Sequence, residues 1–74
     1  YMEDKILEIL KNVLEMDVDT SCSQDNCDAW DSMKQLDLVV ELESEFDISL
    51  EPEEIGEMKS FQDVVSLVNK KTAV

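Results

Sequence analysis

The sequence predicts an all-α chain, a small bundle of three main helices and one short helix with a long loop between the first two. Apolar residues recur at steps of three and four in three separate stretches, the period of an amphipathic helix. A proline followed by acids opens a fourth, shorter stretch. Nothing in the pattern suggests a strand.

Helix 1 is expected from Glu3 to Met16. Ile6, Leu7, Ile9, Leu10, Val13 and Leu14 form its inner face, and Glu3, Asp4, Glu8, Lys11 and Glu15 stay wet. Asp17 to Ala29 holds Asp, Ser, Thr, Asn and Cys with Val18 as its large apolar residue, so it reads as a loop. That length in a small domain needs a reason, and a crossover between two helices lying along each other supplies one. Trp30 should anchor the loop's end on the core, with its indole N–H hydrogen-bonded.

Helix 2 is expected from Met33 to Phe46. Leu36, Val39, Leu42 and Phe46 should point inward, with Met33, Asp37, Val40, Glu41 and Ser44 outward. Its start offers two caps. Ser32 with Gln35 fits an S-x-x-Q capping box; alternatively Asp31 caps and leaves the Ser32 side chain free in the first turn. Asp47-Ile48-Ser49 then breaks the pattern, and Pro52-Glu53-Glu54 opens a short helix with proline and acids at its positive end. Ile55 and Met58 should be its buried residues, with Gly56 keeping it short. Ser60 with Asp63 marks the last start, and Phe61, Val64, Val65 and Val68 give an apolar face up to Lys70 and Lys71, whose charges suit a helix C-terminus.

The 74 residues allow one domain, 1–74, with one modest core and little room for an enzyme cleft. Tyr1 before Met2 reads as a remnant ahead of a natural start, which suggests a stand-alone protein. With 19 acidic and 6 basic residues the formal charge is −13, a surface that repels nucleic acid and anionic membranes and steers partners with basic faces. No apolar run has the length of a membrane span and no secretory signal opens the chain, so a cytoplasmic monomer is expected. Cys22 and Cys27 read as reduced, incidental thiols: a disulfide between them would close a very short loop, and two soft ligands without histidine do not make a zinc site.

Ser32 is the residue around which function is read. A serine hydroxyl needs a base to become a nucleophile, and the chain has no histidine. The nearest lysine, Lys34, sits in a very acidic sequence with no apolar pocket to neutralise it. The chain is therefore expected not to be an enzyme, and Ser32 is either a cap or a place where another enzyme attaches something. A helix start favours a bound phosphodiester through its unpaired N–H groups and positive dipole end.

Asp31-Ser32-Met33, followed by Leu36, Leu38-Val39-Val40-Glu41-Leu42-Glu43, Glu45-Phe46, Ile48 and Leu50-Glu51-Pro52-Glu53-Glu54-Ile55, resembles the acyl carrier proteins. The resemblance runs from the first helix through Val68. It implies that Ser32, next to Asp31, receives 4'-phosphopantetheine from coenzyme A through a phosphopantetheinyl transferase, and that the arm carries an acyl group as a thioester in lipid or secondary-metabolite biosynthesis. It also implies that helix 2 is the recognition element, with Met33, Asp37, Val40, Glu41 and Ser44 meeting basic-faced loading and transfer enzymes, and that an aliphatic core can part to shelter cargo. Ala29-Trp30 stands where many carriers have glycine shortly before the Asp-Ser pair, Met33 replaces the more frequent leucine, and Lys34 puts a positive charge where acids are common. The cargo is left open.

Two other readings compete. From Asp17, the residues Asp17, Asp19, Ser21, Ser23, Asp25 and Asp28 fall at the ligand positions of a calcium-binding helix-loop-helix. Cys22 where glycine is demanded, Gln24 at the apolar position and the short Asp28 at the last position argue against it. In the other reading, a plain helical adaptor, Ser32 is only a cap.

Overall fold

The computed structural model describes residues 2–72, so Tyr1, read above as a remnant, lies outside the described residues. Four helices follow in order: α1 (Met2–Leu14), α2 (Ser32–Phe46), α3 (Pro52–Glu57) and α4 (Phe61–Thr72). α1 packs on α2 and α4, and α2 on α4. The radius of gyration of 11.1 Å matches the roughly 11 Å of a compact chain this long, so the seventeen-odd residues between α1 and α2 lie against the bundle.

Ile6, Ile9, Leu10, Val13 and Leu14 of α1 and Phe61, Val64, Val65 and Val68 of α4 are buried, as their spacing predicts, with Leu7 only partly so. On α2 the inward face is rotated from the predicted one. Val39 and Leu42 are buried with Leu38, which the sequence reading missed, while Phe46 is partly buried and Leu36 is 61% exposed. At about 100° per residue, the stripe through Leu38, Val39, Leu42 and Phe46 continues back to position 35 and leaves position 36 facing outward. Position 35 holds glutamine, so apolar periodicity alone points to Leu36 instead.

α1 and α2 both end on a residue in the left-handed region without glycine: Glu15 at φ 57° and Asp47 at φ 53°. Asp47 closes α2 by donating its N–H to the carbonyl of Glu43. α3 has Pro52 at its start and a box in which Glu51 and Glu54 each take the other's backbone N–H. Met58 is fully buried just past its end and Ile55 is partly buried. The Ser60 hydroxyl accepts from the Asp63 N–H at 3.2 Å, the start signal expected for α4.

The long loop holds to the core at both cysteines. Cys22 and Cys27 are free thiols, but they are buried members of the core, which corrects their reading as incidental. Burial, first, and then the neighbouring Cys27 push the Cys22 thiol up to about 12, so it stays protonated at neutral pH. A single antiparallel bridge, Ser23 with Ser60, pins the loop to the α3–α4 junction: Gln24 donates to Lys59 and Phe61 donates to Cys22, both at 2.8 Å. Nothing in the local pattern of residues announces this bridge.

Ion pairs join elements at Lys5–Glu45 (3.0 Å) and Lys71–Glu54 (2.7 Å). The hydrogen bond from Lys71 holds the Glu54 carboxyl below its ordinary 4.5. A depressed carboxyl stabilises the fold above its unfolded pKa and loses that contribution as pH falls through the folded value. Glu54→Gln should therefore flatten part of the acid limb, seen as a shallower fall of the urea midpoint as pH drops below the ordinary 4.5. Among the described residues, no helix is long and apolar enough to cross a membrane.

Candidate functional site

Asp31, not Ser32, caps α2. Its backbone is extended (φ −104°, ψ −174°), and its Oδ1 accepts the Lys34 N–H at 2.9 Å while its carbonyl accepts the Gln35 N–H at 2.9 Å. Of the two starts the sequence allowed, the Ser32–Gln35 capping box is the one not formed. Ser32 becomes the first residue of the helix, exposed, and its hydroxyl has no hydrogen-bond partner among the described residues. A carboxylate at the cap leaves the serine oxygen available. Asp31→Ala should cost about 1 kcal/mol of stability, the usual loss for an N-cap, with Asp31→Asn recovering most of it in denaturant titrations.

Around Ser32 the first-turn N–H groups and the positive end of a 15-residue helix point outward, a setting that suits a phosphodiester. Ser32 shares a surface groove with Gln24, Trp30, Asp31, Gln35, Ile55 and Gly56, so the loop, α2 and α3 all border it. Lys34, the unusual cation of this turn, has its amine 3.5 Å from Glu15, which partly offsets its charge near Ser32.

Near Ser32, Gln35, expected only as a capping-box partner, is taken into the core. Gln35 is the one buried polar side chain among the described residues, at 8% exposure. Its Oε1 accepts the indole N–H of buried Trp30 at 2.6 Å, so the expected tryptophan hydrogen bond is present. Its Nε2 donates to the carbonyls of Ile55 at 2.7 Å and Met58 at 3.0 Å. The amide oxygen and both amide N–H groups are used, and no buried side-chain polar atom is left unpaired among the described residues. The signal for Gln35 was its place on the stripe of Leu38, Val39 and Leu42.

The predicted contact residues Met33, Asp37, Val40, Glu41 and Ser44 all lie exposed on one side of α2. Met33 is 76% and Val40 62% exposed, and Leu36 joins them, so the apolar strip is longer than expected. Acids border it at Asp37 and Glu41. The Asp17–Asp28 loop is arranged otherwise than a calcium loop: Asp19 turns back onto the N–H and hydroxyl of Ser21, and Asn26 ties Ser21 to Ser23. Among the described residues, no three acidic, cysteine or histidine side chains are grouped to hold a metal ion.

Fold and site together define a small helical module that presents one free hydroxyl at a helix start and an acid-bordered apolar strip beside it. The acyl carrier protein of Petrotoga mobilis is 33% identical over 72 residues, covering 92% of this chain and 84% of that protein. The chain belongs to the acyl carrier protein family, whose members are carriers and not enzymes. Its fold matches the solution structure of a holo acyl carrier protein from Geobacter metallireducens at a TM-score of 0.83 and 31% identity, covering 96% of this chain and 85% of that one. It also matches the crystal structure of the acyl carrier protein of Thermotoga maritima at 0.77 and 30% identity, covering 95% and 85%. A scan of family models gave no match.

Proposed function

We propose that Ser32 is the attachment point of 4'-phosphopantetheine and that the chain carries an acyl group between enzymes. The observation that supports this most is the division of labour at the start of α2: Asp31 takes the cap, and the Ser32 hydroxyl is exposed, with no hydrogen bond among the described residues. The residues fit the group. A phosphodiester on Ser32 would meet the positive end of α2, and the groove beside it has room for an arm.

In the loading step, Ser32 Oγ attacks the pantetheine-side phosphorus of coenzyme A. The Oγ–P bond forms, the pyrophosphate bond breaks, and adenosine 3',5'-bisphosphate leaves. The hydroxyl proton goes to a base on a phosphopantetheinyl transferase, because this chain has no histidine to take it. When bound, the arm supplies a terminal thiol that holds the acyl group as a thioester. The chain's own contribution is to fix the anchor and raise the effective concentration of cargo at a docked enzyme.

Met33, Leu36 and Val40 with Asp37, Glu41 and Ser44 form the docking face of this reading. Methionine adapts to several partners, and the carboxylates steer loading and transfer enzymes that carry basic faces. The chain acts as one domain and as a monomer in the cytoplasm. Incubation with coenzyme A and a transferase should add the mass of one phosphopantetheine to the wild type. An unchanged mass with several such transferases would overturn the reading.

A further inference from the structure

We infer that Gln35 is a polar latch between α2 and α3 that keeps cargo out of the core, so that this carrier suits short or polar acyl groups in preference to long aliphatic ones. The inference rests on Ser32 being the attachment point. A chain tethered there enters the groove bordered by Trp30, Gln35, Ile55 and Gly56. Reaching the aliphatic core from this groove means parting the Gln35 amide from the carbonyls of Ile55 and Met58, at 2.7 and 3.0 Å.

The latch holds because its bonds are coupled. Moving Gln35 also frees the indole N–H of the buried Trp30, whose nitrogen lies 2.6 Å from Oε1, and an aliphatic chain offers no acceptor in exchange. Behind the latch, Leu38, Leu42, Met58 and Phe61 are fully buried with no exposure above 1%, so a chain passing it meets filled space. Outside the latch, the groove measures about 320 Å³, roughly twice the ~150 Å³ cavity that holds a benzene ring. Its rim is polar at Gln24, Asp31 and Ser32.

The test loads the wild type and Gln35→Leu with phosphopantetheine carrying either an acetyl or a saturated medium-chain acyl group. It then follows thioester cleavage by hydroxylamine, together with the thermal midpoint of each species. In the wild type, both acyl groups should be cleaved at the same rate and leave the midpoint unchanged. In Gln35→Leu, the medium chain should be cleaved about tenfold more slowly than acetyl, the effect of burying roughly two methylenes. Medium-chain protection in the wild type equal to that in the variant would overturn the inference, as would equal rates in a folded Gln35→Leu. Should Gln35→Leu fail to fold, the wild type decides alone: equal rates uphold the closed core, and protection refutes it. Failure of the wild type to gain the pantetheine mass at all would refute the attachment reading and this inference with it, a result distinct from loading followed by protection.

Discussion

Ser32→Ala is expected to abolish loading altogether while leaving the fold as it is. With coenzyme A and a transferase that modifies the wild type, the variant should keep the mass of its bare polypeptide. Its unfolding free energy should stay within about 0.5 kcal/mol of the wild type, as for other surface changes away from caps and networks. The separation of the two effects follows from the start of α2. Asp31 caps the helix, so removing the Ser32 oxygen breaks no hydrogen bond among the described residues and exposes no buried group. Ser32→Asn gives the same contrast with a polar side chain kept in place. A plain adaptor would keep both stability and function in Ser32→Asn, whereas a carrier keeps stability and loses function. A variant that still gained the pantetheine mass would move the attachment point elsewhere in the chain.

Gln35→Ala should destabilise the protein by about 3 kcal/mol, the largest change expected from a single polar residue here. One amide serves three groups, so its removal leaves the Trp30 N–H and the carbonyls of Ile55 and Met58 without their partner. A buried unsatisfied donor alone costs about 1–3 kcal/mol, and the lost side chain leaves a void against Trp30. For a small domain with a modest core this is a large share of the total, since such folds hold only about 3–5 kcal/mol from burial. Urea unfolding followed by Trp30 fluorescence measures it. A loss below about 1 kcal/mol would show that water replaces all three bonds without penalty.

These two residues, three apart in the sequence, show how unevenly the site could be read. Ser32 was legible because a hydroxyl between an acid and an amphipathic stretch, in a chain without histidine, narrows to a cap or an anchor. Whether Ser32 caps the helix turned on Asp31, a competition between adjacent side chains that the letters leave open. Gln35 was not legible as a core residue, because periodicity was sought among apolar side chains and Leu36 next door completed an acceptable pattern. For the same reason the exposed apolar strip is longer than the pattern predicts, since Leu36, expected inward, is 61% exposed.

The cysteines make a similar case. Their loop is polar in composition, and its two anchors to the core are small thiols that a reading for large apolar residues discounts. Both are buried, and the bridge of Ser23 to Ser60 fixes the loop between them. A bridge between residues 37 positions apart leaves no trace in local pattern.

The amino-acid order by itself determined the four helices, their starts at Pro52 and Ser60, the apolar faces of α1 and α4 and the serine of interest, because helical period and capping are properties of neighbours within a few residues. Only the packed bundle decided how far α2 is rotated, which polar side chain is taken inside, and what lies near Ser32. Those outcomes depend on partners from the loop and from α3, and a buried amide is tolerable only where distant groups satisfy its bonds.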